Sequence, residues 1–303
     1  MKTATMPFVA GTVGLVAALL SIPASASAQN LFVSCPGDNS IVEISSDGIV
    51  SPFASGLHDP ADLAFDSAGD LFEADEASGK IYEFVNDGGT LDPTPVLYAS
   101  NLDEPYGLAF GVLGLYVSEY GNGDVVRITD GTISSVASGL GGPEGLAYSA
   151  PGALYVADQE EGFITEISIL EGTRTIIAAG LNSPSGLAAA SAKIVYVSNQ
   201  GANNIDEIVS TPEPFASGLD DPSGIAFYGT KLYEADSGTG DINAFTKPPI
   251  GNVNETTFAT GLDDPVGLAF QPVPEPPAWG FLAVCASMLV ARSRWRKITV
   301  LNR

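Results

Sequence analysis

Between residues 31 and 270 short apolar runs alternate with turns rich in Gly, Asp and Asn, and the alternation itself repeats. One half-pattern reads Phe53-Ala54-Ser55-Gly56-Leu57, a polar loop, then Pro60-Ala61-Asp62-Leu63-Ala64-Phe65. Its later copies start at Tyr98, Val136, Ile177, Phe215 and Phe258. The second half-pattern reads Leu71-Phe72-Glu73-Ala74-Asp75, a turn, then Lys80-Ile81-Tyr82-Glu83-Phe84. It recurs from Leu115, Leu154, Val195 and Leu232, and stands alone at the start from Leu31. Runs of about five residues with aromatic and β-branched content, bounded by turn residues, predict strands, four to a repeat. Strand A is the Gly-Leu-Ala-Phe type, B the Leu-Tyr-Val-Ala-Asp type and C the Ile-x-Glu-Phe type, while D ends in Phe-Ala-Ser.

Each half-pattern occurs six times, and the unpaired copy at the start complements the unpaired copy at the end. The expected fold is therefore all-β, a six-bladed β-propeller of four-stranded blades. Strand A near Leu268 closes the ring beside strands B to D of the first segment, Leu31 to Phe53, which removes the open sheet edge. A Pro opens every strand A (Pro60, Pro105, Pro143, Pro184, Pro222 and Pro265), where a strand start tolerates it. Gly follows two residues later except in the first copy, which has Asp62. A side chain at that Gly would crowd the axis where the inner strands converge. Ala64, Ala109, Ala147, Ala188, Ala226 and Ala269 fit the same taper. Pro212 and Pro214 fall on an outer strand D, where no ladder donor is lost.

Composition changes the picture in two ways. The length of 303 residues favours two domains, but the repeat makes residues 29–272 one propeller. That body holds nearly all of the charge. From Gln29 to Pro276 there are 36 acidic and six basic residues, a net −30, and the two ends hold the other six basic residues and no acid. Such a body repels phosphate backbones, so nucleic-acid binding is excluded. One His and two Cys leave little room for His-based catalysis or a disulfide framework. Cys35 is the body's one Cys and sits at a strand B position, so it is expected to be buried and inert.

The ends read as addresses. Lys2, the apolar run Phe8 to Ile22 and the small-residue site Ala26-Ser27-Ala28 make residues 1–28 a secretory signal peptide. At the other end Val273-Pro274-Glu275-Pro276 precedes an apolar stretch, 277–291, and the basic cluster Arg292-Ser293-Arg294-Trp295-Arg296-Lys297. Residues 273–303 thus resemble the PEP-CTERM sorting and transmembrane tail of exported bacterial proteins. The resemblance implies an exosortase-type processing enzyme as a partner and transient membrane anchoring through 277–291. It also implies a place on the cell surface or in the extracellular matrix of a Gram-negative bacterium.

Pro143-Glu144-Gly145-Leu146-Ala147 with Leu154-Tyr155-Val156-Ala157-Asp158, and their equivalents, resemble the NHL-repeat propellers and the wider SMP-30/gluconolactonase family. In the gluconolactonase type, several metal ligands sit between the Pro and the Gly of strand A. Here that position holds Ala61, Tyr106, Glu144, Ser185, Ser223 and Val266. Glu144 alone is a good hard-cation ligand, and a catalytic Ca²⁺ or Mg²⁺ wants several converging oxygens. The family's ligand set is therefore not reproduced, and the reading leans away from an enzyme. Asp62, Tyr106, Glu144, Ser185 and Ser223 remain the channel-mouth candidates, with Asp62 and Glu144 as the pair that would share a metal. The alternative roles are that Asp62 caps a turn and Glu144 lines a wet channel. A propeller lyase working through a His beside a metal would have to use His58, in an Asp-rich loop. The acids ending strand B (Asp75, Glu119, Asp158 and Asp236, with Asn199 in the same position) recur blade by blade, so a turn-fixing hydrogen bond is expected of them.

In a propeller the D-to-A and B-to-C loops share a face. Those loops hold 17 acids and one basic residue, Lys80. The pairs Asp103-Glu104, Asp220-Asp221 and Asp263-Asp264 are the candidate binding residues. The expected function is non-enzymatic binding of a basic protein partner or an extracellular polysaccharide through this face, with Ca²⁺ as the one cofactor it invites. A degenerate metal-dependent hydrolase or lactonase and a surface or biofilm scaffold are the alternatives.

Overall fold

A computed structural model describes residues 29–247 and 253–272. The signal segment 1–28 and the tail 273–303, with Val273, Pro274, Glu275, Pro276 and the apolar stretch 277–291, lie outside the described residues. Among the described residues no helix is long and apolar enough to cross a membrane.

Six four-stranded antiparallel sheets form the ring. Blade 1 joins Leu268–Phe270 to Leu31–Cys35, Ser40–Ile44 and Val50–Ser55. Blade 2 runs from Pro60–Phe65 through Leu71–Asp75 and Lys80–Phe84 to Val96–Ser100. Blades 3 to 6 begin with Pro105–Gly111, Pro143–Ser149, Pro184–Ser191 and Pro222–Tyr228. They end with Thr132–Ala137, Thr173–Ala179, Pro212–Ser217 and Asn254–Ala259. The closure is as the repeat requires, with Leu31, Phe32 and Val33 paired to Phe270, Ala269 and Leu268. Blade 2 holds one element that the repeat does not announce, a two-stranded ladder of Asn86–Asp87 and Thr90–Leu91. It sits between the third and fourth strands and accounts for the longest repeat spacing.

The second strand of every blade is covered on both sides by its neighbours. All five residues of Leu31–Cys35 and of Leu71–Asp75 are buried. Successive side chains point to opposite faces, so each second strand feeds two interblade cores. Phe72 and Ala74 pack towards blade 3 with Leu115 and Val117, whereas Leu71 packs towards blade 1 with Phe32 and Ile41.

The inner strands meet where five glycines follow the strand-opening prolines. A Cβ on Gly107, Gly145, Gly186, Gly224 or Gly267 would land on the carbonyl oxygen of Glu144, Ser185, Ser223, Val266 or Ala61, each in the next blade. The crowding is thus backbone against backbone between neighbouring blades. Three serines stitch the same seam. Ser118 Oγ accepts from Gly107 N at 2.7 Å and donates to Glu144 O at 2.6 Å. Ser198 does the same between Gly186 and Ser223, and Ser34 between Gly267 and Ala61.

Candidate functional site

The D-to-A and B-to-C loops interlock on one face through backbone hydrogen bonds. Glu76 N donates to Asp59 O, Tyr120 N to Glu104 O and Ser237 N to Asp221 O, with equivalents in blades 4 and 5. The acids ending the second strands fix these loops. Asp75 accepts from His58 N at 2.8 Å, Glu119 from Asp103 N at 2.9 Å, Asp158 from Gly141 N at 2.8 Å and Asp236 from Asp220 N at 3.1 Å. Cys35 takes that position in blade 1, free and buried, and burial followed by the Asp38 charge pushes its thiol up to about 12. His58 is exposed with its ring beside Asp75.

Asp103, Glu104, Asp220, Asp221, Asp263 and Asp264 are all exposed on this face, and each pair divides its labour. The first member packs over a glycine of the B-to-C loop: Asp103 over Gly121, Asp220 over Gly238 and Asp263 over Gly37. The second member, just before the strand-opening Pro, has a left-handed backbone. φ is 49° at Glu104, 59° at Asp221 and 55° at Asp264, and Asp59 matches at 61°. These second members and Asp59 form an arc across four adjacent blades at the channel mouth, blades 4 and 5 having Gly142 and Ser183 there. Burial and then the charges of Asp221, Asp263 and Asp59 raise the Asp264 carboxyl above its ordinary value. Glu76 is pushed up to about 7 by burial and then by Asp59 and Glu104.

Two residues further along, just after each strand-opening Pro, lie the channel-mouth candidates, with Asp62 one position deeper. Tyr106, Ser185 and Ser223, with Asp62, line an axial cavity of about 30 Å³. Burial and then the Glu144 charge hold the Tyr106 phenol well above its ordinary value. Ser185 and Ser223 are 1% and 0% exposed; neither Oγ makes a hydrogen bond of good geometry, but both lie near the Tyr106 hydroxyl, and Ser185 also near Glu144, and pull those groups' proton affinities down. Glu144 is buried rather than lining a wet channel. Its Oε1 accepts from Gln159 Nε2 at 2.5 Å, Gln159 Oε1 in turn accepts from Tyr120 Oη at 3.3 Å, and Oε2 is unpartnered. Burial pushes Glu144 up to about 7, with Ser185 pulling the other way and Glu76 and Asp221 adding to the rise.

Asp62 does not cap a turn. Its two oxygens accept from Leu63 N at 2.8 Å and from Leu108 N of the next blade at 2.9 Å. It thus replaces, with a side chain, the close backbone seam that Gly provides elsewhere, and burial pushes it up to about 7. Asp62 and Glu144 are anchored to separate partners. Among the described residues no group of three or more His, Cys, Asp or Glu is placed to hold a metal ion.

Two further carboxyls escape the sequence reading. Glu73 and Glu234 are fully buried in the second strands of blades 2 and 6. Both Glu73 oxygens lack a partner, while Glu234 keeps one bond, from Asn243 Nδ2 at 3.1 Å. Burial and then Asp75 hold Glu73 well above its ordinary value, and burial with Asp236 pushes Glu234 up to about 8. The signal was present, since both stand where the other blades have Val33, Val117, Val156 and Val197.

No family model matches the chain, and no curated relative matches it. Solved structures do match. A chain of the nidogen/laminin complex superposes with a TM-score of 0.70 at 19% identity, covering 82% of this chain and 100% of its own. Streptogramin B lyase superposes at 0.59 with 17% identity, over 80% of this chain and 95% of its own. A catalytically inactive His-to-Ala variant of virginiamycin B lyase from Staphylococcus aureus, solved with quinupristin, gives 0.59 and 18%, over 82% and 94%. At such identities the likeness establishes the architecture alone: the chain is an all-β, six-bladed propeller built from a repeat.

Proposed function

We propose that this propeller is an exported, non-enzymatic binding module that engages a basic protein partner or an extracellular matrix component through its acidic loop face. One observation carries the reading: the interlocked loops gather Asp59, Glu104, Asp221 and Asp263 close enough to Glu76 and Asp264 that, with burial, their charges raise those two carboxyls above their ordinary values. Carboxylates held together in this way are relieved by a cation or a cationic surface, and their field steers one in. Ca²⁺ is the ion such a surface would recruit as a bridge. The signal-like residues 1–28 and the sorting-tail-like residues 273–303 support an exported, surface-bound setting for this activity, with an exosortase-type enzyme acting on the tail. The propeller of the nidogen/laminin complex offers a parallel for binding.

Hexalysine amide is the probe. It should bind with an affinity that falls steeply with salt, and Asp220→Asn, Asp221→Asn, Asp263→Asn and Asp264→Asn together should weaken it at least tenfold. Removing four acids from the opposite face (Asp47, Asp66, Asp87 and Asp130) should weaken it far less. Equal losses from the two sets would sink the reading.

A hydrolase or lactonase reading draws on Asp62 and Glu144, both pushed up to about 7, the range suited to acid–base work. Against it stands a cavity of about 30 Å³, whereas organic ligands occupy roughly 300–1,000 Å³. Metal-dependent turnover on a lactone panel, abolished by Glu144→Gln, would restore it.

A further inference from the structure

The axial cavity has a chemistry distinct from the acidic rim above it. Its unpartnered groups are hydroxyls, Ser185 Oγ and Ser223 Oγ, and both are almost fully buried. Tyr106 lines the same space. Glu144 opens the neighbouring inner strand at the position equivalent to Tyr106, Ser185 and Ser223, and its Oε2 is buried without a partner. A buried polar atom left unpaired costs roughly 1–3 kcal/mol, so two hydroxyls left open on one cavity mark a place made for a polar guest.

Size and directionality narrow the guest. About 30 Å³ has room for one or two water-sized groups. An ammonium is that size and carries three donors and no acceptor, which matches the hydroxyl oxygens of Ser185, Ser223 and Tyr106. A guanidinium is larger and planar, with its donors in a fixed fork. A divalent metal wants about six converging oxygens, and among the described residues no group of three or more His, Cys, Asp or Glu is placed to hold one. The approach is prepared as well. The residue before each strand-opening Pro at the mouth is Asp59, Glu104, Asp221 or Asp264 in four adjacent blades, so a cation passes along an arc of negative charge before reaching the hydroxyls.

We propose that the axial cavity receives a primary ammonium, the tip of a lysine side chain, presented by the partner that the acidic face binds. The proposal rests on that reading of the face and adds the partner's chemistry: an exposed lysine on a protruding segment, inserted along the propeller axis. The rim supplies steering and the cavity supplies discrimination between Lys and Arg.

The test uses the full chain, isotope-labelled, with three capped amino acids as probes: the N-acetyl methylamides of lysine, Nε-acetyl-lysine and arginine. Lysine should shift the amide signals of Gly186 and Gly224 saturably. The acetylated form should leave them unmoved, and arginine should bind at least tenfold more weakly. Ser223→Val, which removes a hydroxyl and fills the space, should weaken lysine binding at least tenfold while leaving hexalysine binding at the rim. If that variant is unfolded, Ser185→Val is used in its place. Equal binding of lysine and its acetylated form would overturn the proposal. So would displacement of lysine by CaCl₂ beyond the effect of NaCl at matched ionic strength, which would make the cavity a metal site. Hexalysine binding that survives alongside a silent cavity removes the lysine pocket and keeps the face. Loss of hexalysine binding with a responsive cavity does the reverse.

Discussion

The second strands of blades 2 and 6 differ from those of the other four at one position. Glu73 and Glu234 occupy a site that holds Val33, Val117, Val156 and Val197 elsewhere, at the same depth and register. Glu73 shares a strand face with Leu71, so it enters the seam between blades 1 and 2. Glu234 shares a face with Leu232, which packs with Tyr196 and Ile205 in the seam between blades 5 and 6. One backbone thus accepts either an isopropyl group or a carboxyl, and what differs is the proton. A carboxyl in such a seam stays neutral because the surrounding core gives its charge no solvent.

The largest break in this contrast should come from adding a third carboxyl. Val156→Glu places one in the seam of blade 4 opposite Thr165. It should lower stability by roughly 3–5 kcal/mol at pH 8 in a denaturant titration, and by less at pH 5. The natural chain should show the same dependence in milder form. Folded Glu234 holds its proton up to about pH 8 while the unfolded residue loses it near 4.5. The folded state therefore binds more protons across that window, and stability falls as pH rises through it. The loss is on the order of 4 kcal/mol for this residue, and it levels off above the folded value. A stability that climbs from pH 5 to 8 would contradict the neutral-carboxyl account. Glu73→Val with Glu234→Val should flatten the slope and raise stability at pH 8 by about the 4 kcal/mol that Glu234 has lost by then. Glu234→Gln should have the smallest effect, within about 1 kcal/mol at pH 5, because an amide can keep the bond to Asn243.

The blades are legible in the sequence because the repeat prints the same proline and second-strand aromatic six times and the glycine after the proline five times, so six weak strand signals fall into one register. Glu73 and Glu234 are less legible. In a strand with one wet face a Glu between Phe72 and Ala74 reads as solvent-facing, and only the burial of both faces of the second strand makes it an interior residue. The loop-fixing role of Asp75, Glu119, Asp158 and Asp236 follows from repetition. The division within Asp103-Glu104 and its equivalents does not, because it depends on which carboxylate meets the facing glycine and which precedes the proline with a left-handed backbone. Asp62 stands out as the copy without Gly, yet its reach to Leu108 N needs the neighbouring blade in place. The same holds for Gln159, whose link to Glu144 spans 15 residues.

The closure of the ring also has a mechanical side. The clasp is a three-residue strand, and its two chains leave from the same end, with Gln271 N donating to Asn30 O at 3.0 Å. Tension between residues 30 and 271 would pull this antiparallel ladder apart from its end, so its bonds would yield one after another instead of sharing the load. A pull from either side of the clasp would therefore peel Leu268–Phe270 away first. The other five blades, whose four strands are each continuous within one stretch of chain, would be left to resist a larger force.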